Sequence, residues 1–348
     1  MKKLDQVGEF GLIDIIKARF STFRKETIVG IDDDCAVVEG REGMNYLITC
    51  DSQVEGSHFI TDLFPPFLLG QRVLSVNLSD IAAMGGAPLF ALLSFILPSQ
   101  LELQWLELFL EGVEKRAREF GMEVVGGNLA KTRGEMVFDV TVIGEIRKGI
   151  LLLRKNARPG DVILVTGTLG DSSAGLKILL EEQRVNDRGS QYLLDRYFLP
   201  TPRISVGHLL SESGTSFSLI DVSDGFSQDL GHILEQSRVG AVIDVASLPL
   251  SSELISWSAR NQTDPLPFAL SGGEDFELVF TGPAPQVRDI RRLVEEQSGV
   301  PVTEVGYIIP EQQLYIQKNG IITPFQTSGW NHFRSEGEPV LNGANKKR

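Results

Sequence analysis

The residues best suited to chemistry in this chain are acids set beside glycine, serine or short apolar runs. They are Asp32-Asp33-Asp34, Asp51, Asp80, Asp221, Asp224 and the pair Glu274-Asp275, with Asn128 in a similar setting. Several close a run that reads as a buried strand, such as YLIT before Cys50-Asp51 and FSLI before Asp221. A carboxylate at the end of a buried strand is costly unless it is paired, protonated or bound to a metal. Lysine and arginine are sparse in these segments, so divalent cations are the natural counter-charges. A site that needs many cations usually handles phosphates.

Each segment also has a plainer reading. Asn77 and Asp80 lie three apart on a helical stretch and share a face, which on its own is better explained as capping near Gly85-Gly86. Asp51 is followed by Glu55 and His58; a strand-end carboxylate suits a metal ligand or merely a turn, and His58 is either structural or a phosphate contact. In VVGGN (124–128) the two glycines after a strand allow close approach of a ligand, or make a tight turn. VTGTLGDSSAGLK (165–177) has the glycine spacing of a phosphate loop, but Leu176 stands where lysine is needed and Lys177 comes one residue late, turned by about 100° on a helix. Only a weaker role is left there, backbone N–H groups at a helix start meeting an anion. IDVSDGFSQDLGHI (220–233) is the sharpest segment: Asp221 ends a strand, and Asp224 either caps the following helix or joins Asp221 at a metal-bridged phosphate. SGGEDFELVF (271–280) repeats that logic in reverse order, glycines and acids before a strand.

The elements that must hold these residues alternate between helical and strand patterns throughout, which points to an α/β or α+β chain. Helices are expected over 8–20, 66–84, 101–120, from about Ser172, and over 226–237, 251–260 and 285–298. Strands are expected over 35–38, 46–50, 123–125, 136–146, at VILVT after 161, over 217–222, 241–245 and 276–281, and near 303–309 and 313–317. A basic, Pro-Gly-containing turn at 154–161 suggests a domain boundary, giving domains over 1–150 and 151–333 and a disordered polar tail over 334–348.

A chain of 348 residues can bury a large core. Its net charge of −13 argues against nucleic acid or an anionic membrane surface as partner, though a nucleotide bridged by metals is compatible. Two cysteines, Cys35 and Cys50, make no disulfide framework and fit a reducing cytoplasm. No signal peptide is expected at the start, and no apolar run approaches a membrane span.

Taken in order, GEFGLID, GIDDDCAVV, ITCDSQVEGSHF, VNLSDIAAMGG, VVGGN, VTGTLGDSSAG, IDVSDG, SGGEDFEL and GWNHF cover residues 8–333, and the chain they make resembles the thiamine-monophosphate kinases. That family belongs to the superfamily of aminoimidazole ribonucleotide synthetase and selenophosphate synthetase. The resemblance implies a two-domain fold of that type, a homodimer built through N-terminal strands, and ATP-dependent phosphorylation of thiamine monophosphate to thiamine diphosphate. By motif, Asp34, Asp51, Asp80, Asp221 and Asp224 look like ligands of several magnesium ions, with Thr49, Cys50 and Asn128 contributing oxygens. Gly127, Asn128, Arg154 and Ser223 look like ATP contacts, and His58, Glu274 and Trp330 like contacts to thiamine monophosphate; Asp221 and Asp224 stand nearest the chemistry. Three positions depart from the family pattern: Asp32 replaces a glycine, Asn128 a frequent aspartate, and Cys50 a threonine or serine. A thiol is a poor magnesium ligand, so Cys50 would contribute its carbonyl. Two rivals stay open: another ATP-using member of the superfamily, and a non-enzymatic acidic protein that binds metal or nucleotide. The opening MKKLDQVGEF lacks the reactive cysteine of selenophosphate synthetases, and no contiguous D-x-D-x-D-G calcium loop occurs.

Overall fold

The computed structural model describes residues 4–20, 24–181 and 187–330, and the tail expected over 334–348 lies outside them. The described residues divide into two units, one within 4–77 and 88–145, the other within 78–87 and 146–330.

The first unit runs through α1 (Glu9–Arg19), β1 (Thr27–Val29), β2 (Ala36–Glu39), β3 (Met44–Val54), α2 (Pro66–Ala83, its residues from Leu78 onward counted in the second unit), β4 (Ala87–Pro98), α3 (Leu103–Glu119), β5 (Glu123–Thr132) and β6 (Val137–Arg147). Its sheet has the order β1-β2-β3-β6-β4-β5 among the described residues. The alternating MVFDVTVIGEI becomes β6, with Phe138, Val140 and Val142 buried on one face, as period-2 patterning demands. Phe138 stacks on Phe109 of α3, ring centroids 4.3 Å apart, so that helix is fastened to the sheet. The parallel pair β4 and β5 is joined by α3, the crossover that parallel strands require.

Two segments that the sequence left open are settled here. The apolar run at 90–97 is the body of β4, and strand β5 continues through Gly126 and Gly127 to Thr132 in place of a turn. The glycines are explained by close approach: a Cβ on Gly127 would lie 1.8 Å from the carbonyl oxygen of Leu93. Asp32, where the family has glycine, adopts φ 156° and its carboxylate pairs with Lys17 at 2.5 Å. The turn thus sets an aspartate at a positive φ and makes an exposed ion pair there.

The second unit continues with β7 (Asp161–Thr166), α4 (Asp171–Glu181), α5 (Arg188–Phe198), α6 (Ile204–Glu212), β8 (Ser218–Asp221), α7 (Phe226–Ser237), β9 (Gly240–Asp244), α8 (Ser252–Arg260), α9 (Leu266–Ser271), β10 (Leu278–Pro283), α10 (Ala284–Ser298), β11 (Val302–Ile309), β12 (Leu314–Lys318) and β13 (Ile321–Pro324). The sheet order is β13-β12-β9-β11-β7-β10-β8, antiparallel except where β12 lies parallel to β9. Every residue of β7 is buried because both faces are covered. Ile163 and Val165 join the α7 and α9 side of the core, whereas Val162 and Leu164 join the α6 and α10 side. Helices α5, α6 and α9 had no counterpart in the sequence reading.

Candidate active site

The segment IDVSDG folds as a strand end followed by a turn into a helix. β8 ends at Asp221, only 2% exposed, and its Oδ2 accepts the hydroxyl of Ser79 on α2 at 2.6 Å, next to Asp80. Past the strand, Val222 N–H donates to the carbonyl of Glu277, and the N–H groups of Phe276 and Glu274 donate to the carbonyls of Val222 and Ser223 at 2.8 and 2.7 Å. This short ladder sets Glu274 beside Ser223. Gly225 has φ 131°, and a Cβ there would come within 2.9 Å of the Ser271 backbone, so the turn needs glycine.

Asp224 does not cap α7. Asp229, one turn into the helix, reaches back instead, and its Oδ2 accepts the N–H groups of Asp224 and Gly225 at 3.1 and 2.9 Å. The Asp224 side chain accepts Gln228 Nε2 at 3.1 Å. Its carbonyl accepts the N–H of Trp330 at 3.0 Å, and Gln228 Nε2 also donates to the Trp330 carbonyl at 2.7 Å. The tryptophan named by the closing motif is thus tied by its backbone to the turn that carries Asp224.

Asp224, Asp229 and His232 each present one ligand atom, all within 4.8 Å of one another. Burial pushes the Asp229 carboxyl well above the ordinary range, and the negative charges of Asp224 and Asp221 push it further; the backbone donor Gly225 and the Arg154 guanidinium pull less strongly the other way. The carbonyl of Arg154 accepts the hydroxyls of Ser218 and Ser237, at 2.7 and 2.9 Å, which fixes its backbone beside β8 and α7. The second unit therefore holds Asp80, Arg154, Asp221, Ser223, Asp224, Glu274 and Trp330. Sequence reading missed Asp229 and His232, although both stand in the motif it singled out; their spacing of three on a helix was the available signal.

The other sequence-derived residues lie in the first unit. Asp34 is half-buried in the loop before β2, and Thr49, Cys50 and Asp51 follow one another on β3. Asn77 accepts the Asp51 N–H on its Oδ1 at 3.1 Å and donates its Nδ2 to the Val73 carbonyl. Burial pushes the Cys50 thiol up; Thr141 opposes this and the Asp139 charge adds to it, so the group stays a thiol at neutral pH. His58 accepts the Val54 N–H on Nδ1 at 3.0 Å, which puts its own proton on Nε2. Gly127 and Asn128 are exposed on β5.

The backbone donors of the glycine turn at the start of α4 are taken by the chain's own side chain, the carboxyl group of Asp275. Gly170 and Ser172 donate their N–H groups to the two oxygens of Asp275 at 2.6 and 3.1 Å. Burial pushes the Asp275 carboxyl up to about 8, against the charge of Arg196 and these two donors. Two residues on, Glu277 is gripped by Arg196 at 2.8 Å, by Arg203 at 2.6 and 2.5 Å, and by the Thr166 hydroxyl at 2.7 Å.

The family of AIR synthase related proteins matches in two parts, its N-terminal domain over residues 32–146 and its C-terminal domain over 158–319. The thiamine-monophosphate kinase of Escherichia coli (strain K12) is 38% identical over 328 residues, covering 94% of this chain and 98% of the relative. That of Bacillus subtilis (strain 168) is 35% identical over 332 residues, covering 94% and 100%. The solved structure of AaThiL complexed with AMPPCP and TMP matches with a TM-score of 0.85 at 34% identity, covering 95% of this chain and 99% of that one.

Proposed function

Since this chain belongs to the thiamine-monophosphate kinases, within the AIR synthase related proteins, we propose that it transfers the γ-phosphoryl group of ATP to thiamine monophosphate, making thiamine diphosphate. The observation that carries this reading is the turn from Asp221 to Asp224. One stretch of backbone presents two acids, sets Ser223 against Glu274, and ties down Trp330.

The acceptor is a phosphate monoester with a second pKa of about 6, so it is largely dianionic at pH 7 and needs little general-base help. The obstacle is repulsion between two phosphate groups brought into line, and catalysis is mainly positioning and electrostatics. The donor set fits magnesium: it is carboxylate and carbonyl oxygen, and Asp229 feels an accumulation of negative charge from its neighbours. In the second unit Asp80, Asp221 and Asp224 are the residues that would hold it; in the first, Asp34, Thr49, Cys50 through its carbonyl, Asp51 and Asn128 are the ligands the resemblance implies. When bound, magnesium supplies the counter-charge that lets two phosphates approach. Gly127, Asn128, Arg154 and Ser223 bind ATP in this reading; His58, Glu274 and Trp330 bind thiamine monophosphate, with Trp330 packing against the thiamine rings. Transfer is direct and in line.

The chain assembles as a homodimer through the N-terminal sheet. Strand β5 ends that sheet, and Val124, Val125 and Leu129 are 44%, 54% and 71% exposed on it, an apolar edge of the kind that seeks another strand. The N-terminal domain, 1–150, then serves dimerisation and carries metal and ATP ligands of its own, and 151–333 forms a second α/β domain. A cytoplasmic location fits two cysteines that are both free thiols. No helix among the described residues is long and apolar enough to cross a membrane.

Incubation with ATP, magnesium and thiamine monophosphate should yield thiamine diphosphate; no product across a range of magnesium concentrations would remove the kinase reading. A labelled phosphoprotein trapped from γ-labelled ATP would remove direct transfer. Light scattering should give twice the chain mass, and Leu129→Asp should halve it.

A further inference from the structure

Asp275 is 1% exposed, and its two oxygens take separate backbone donors at the start of α4. The residues on either side both have positive φ, Glu274 at 67° and Phe276 at 50°. Neither is glycine or asparagine, and such residues persist in this region only where the surrounding structure over-determines them. The constraint comes from two sides. The N–H groups of Glu274 and Phe276 are fastened to the carbonyls of Ser223 and Val222, and the Asp275 carboxylate between them is fastened to Gly170 and Ser172. There is no slack just upstream either, since a Cβ on Gly273 would lie 2.5 Å from the Ser223 carbonyl oxygen.

We propose that Asp275 is a positioning residue for the phosphoryl-transfer reaction: by clamping the 274–276 segment to the start of α4, it holds Glu274 in its left-handed conformation and so aims the Glu274 side chain at the substrate. This rests on the kinase reading above, in which Glu274 contacts thiamine monophosphate. The clamp needs an oxygen facing each of the two backbone donors. Asparagine has the same shape but only one acceptor oxygen, and its amide would turn donors toward the remaining backbone N–H. Loss of the clamp frees Glu274 to relax toward negative φ, which swings its side chain without removing it.

The test is steady-state kinetics of the wild type, Asp275→Asn, Glu274→Ala and the double variant, with each substrate varied in turn, alongside thermal unfolding. Asp275→Asn should raise the KM for thiamine monophosphate about tenfold and that for ATP less than about threefold, because it acts through the substrate-side acid. In the Glu274→Ala background the same change should add less than about twofold, since two residues acting through one contact are not additive. A purely structural Asp275 would lower the melting temperature, shift both KM values alike or neither, and add in full to Glu274→Ala; any of these kinetic results overturns the proposal. If Asp275→Asn does not fold, Asp275→Glu, which keeps the carboxyl group and both oxygens but moves them, is read the same way: a selective rise in the KM for thiamine monophosphate supports the clamp, and equal or absent shifts overturn it. A wild type that makes no thiamine diphosphate refutes the kinase reading itself, whereas an active wild type with unshifted variants refutes only the role of Asp275.

Discussion

Glu277 and Asp229 are buried carboxylates of the same unit, 0% and 2% exposed, and their protonation is pulled in opposite directions. Burial raises both. At Glu277 the guanidinium groups of Arg203 and Arg196 more than offset it, and the carboxyl sits below its ordinary value. At Asp229 the neighbouring charges are those of Asp224 and Asp221, so burial and repulsion act together, and Arg154 does not reverse them. Similar burial thus serves two ends. Where the chain supplies its own cations, the cluster is a structural joint between β10, α5 and α6. Where it gathers negative charge, the cluster suits cations that arrive with a substrate.

Breaking the first cluster should have the largest effect. Arg203→Ala removes two short contacts to Glu277 and should cost about 3–5 kcal/mol, read as a shift in the urea midpoint. An unshifted midpoint would mean that Arg196 alone suffices. Asp224→Asn should do the opposite, lowering turnover about 10²–10³-fold while leaving the urea midpoint nearly unchanged; a fully active variant would contradict its place in the charge cluster. Trp330→Ala should raise the KM for thiamine monophosphate about tenfold with a smaller change in kcat, and an unchanged KM would count against stacking on the thiamine rings.

The smallest effect sharpens the contrast most. A single oxygen of Asp229 takes both backbone donors, so Asp229→Asn can keep both bonds while removing the repelled charge. Without magnesium it should be more stable than the wild type at neutral pH by about 1 kcal/mol. The pH dependence follows from the two directions. With its carboxyl raised, folded Asp229 keeps a proton that the unfolded chain has lost, so stability falls as pH rises from the ordinary carboxylate range to the raised value. Asp229→Asn should flatten that fall. With its carboxyl lowered, Glu277 contributes fully above the ordinary range, and the contribution disappears as pH falls through the lowered value; Glu277→Gln should flatten that acid limb. Urea midpoints measured across pH separate the two.

Much of this was legible in the chain itself, and the exceptions have physical causes. Strands β6 and β7 showed in their patterns, one alternating because one face is buried, the other apolar throughout because both are. The run at 90–97 did not declare itself as β4, since a short apolar stretch fits strand or helix equally. The glycines of VVGGN fitted close approach of a ligand or a tight turn, and neither reading named Leu93 on an adjoining strand as the neighbour. Asp224 followed by a helix looked like a cap; that Asp229 does the capping depends on the turn geometry Gly225 permits.

The sequence by itself determined the inventory: which acids stand at strand ends, the glycine turns around them, the alternation of elements and the ordered motifs of a phosphoryl-transfer family. Such features are local, carried by residue type and short spacing. Only the tertiary structure decided how the acids divide in purpose. Arg196 and Arg203 lie 81 and 74 positions from Glu277, Ser79 lies 142 from Asp221, and Gly170 lies 105 from Asp275. A carboxylate's role is set by the charges and donors within a few ångströms of it, and here those come from distant parts of the chain.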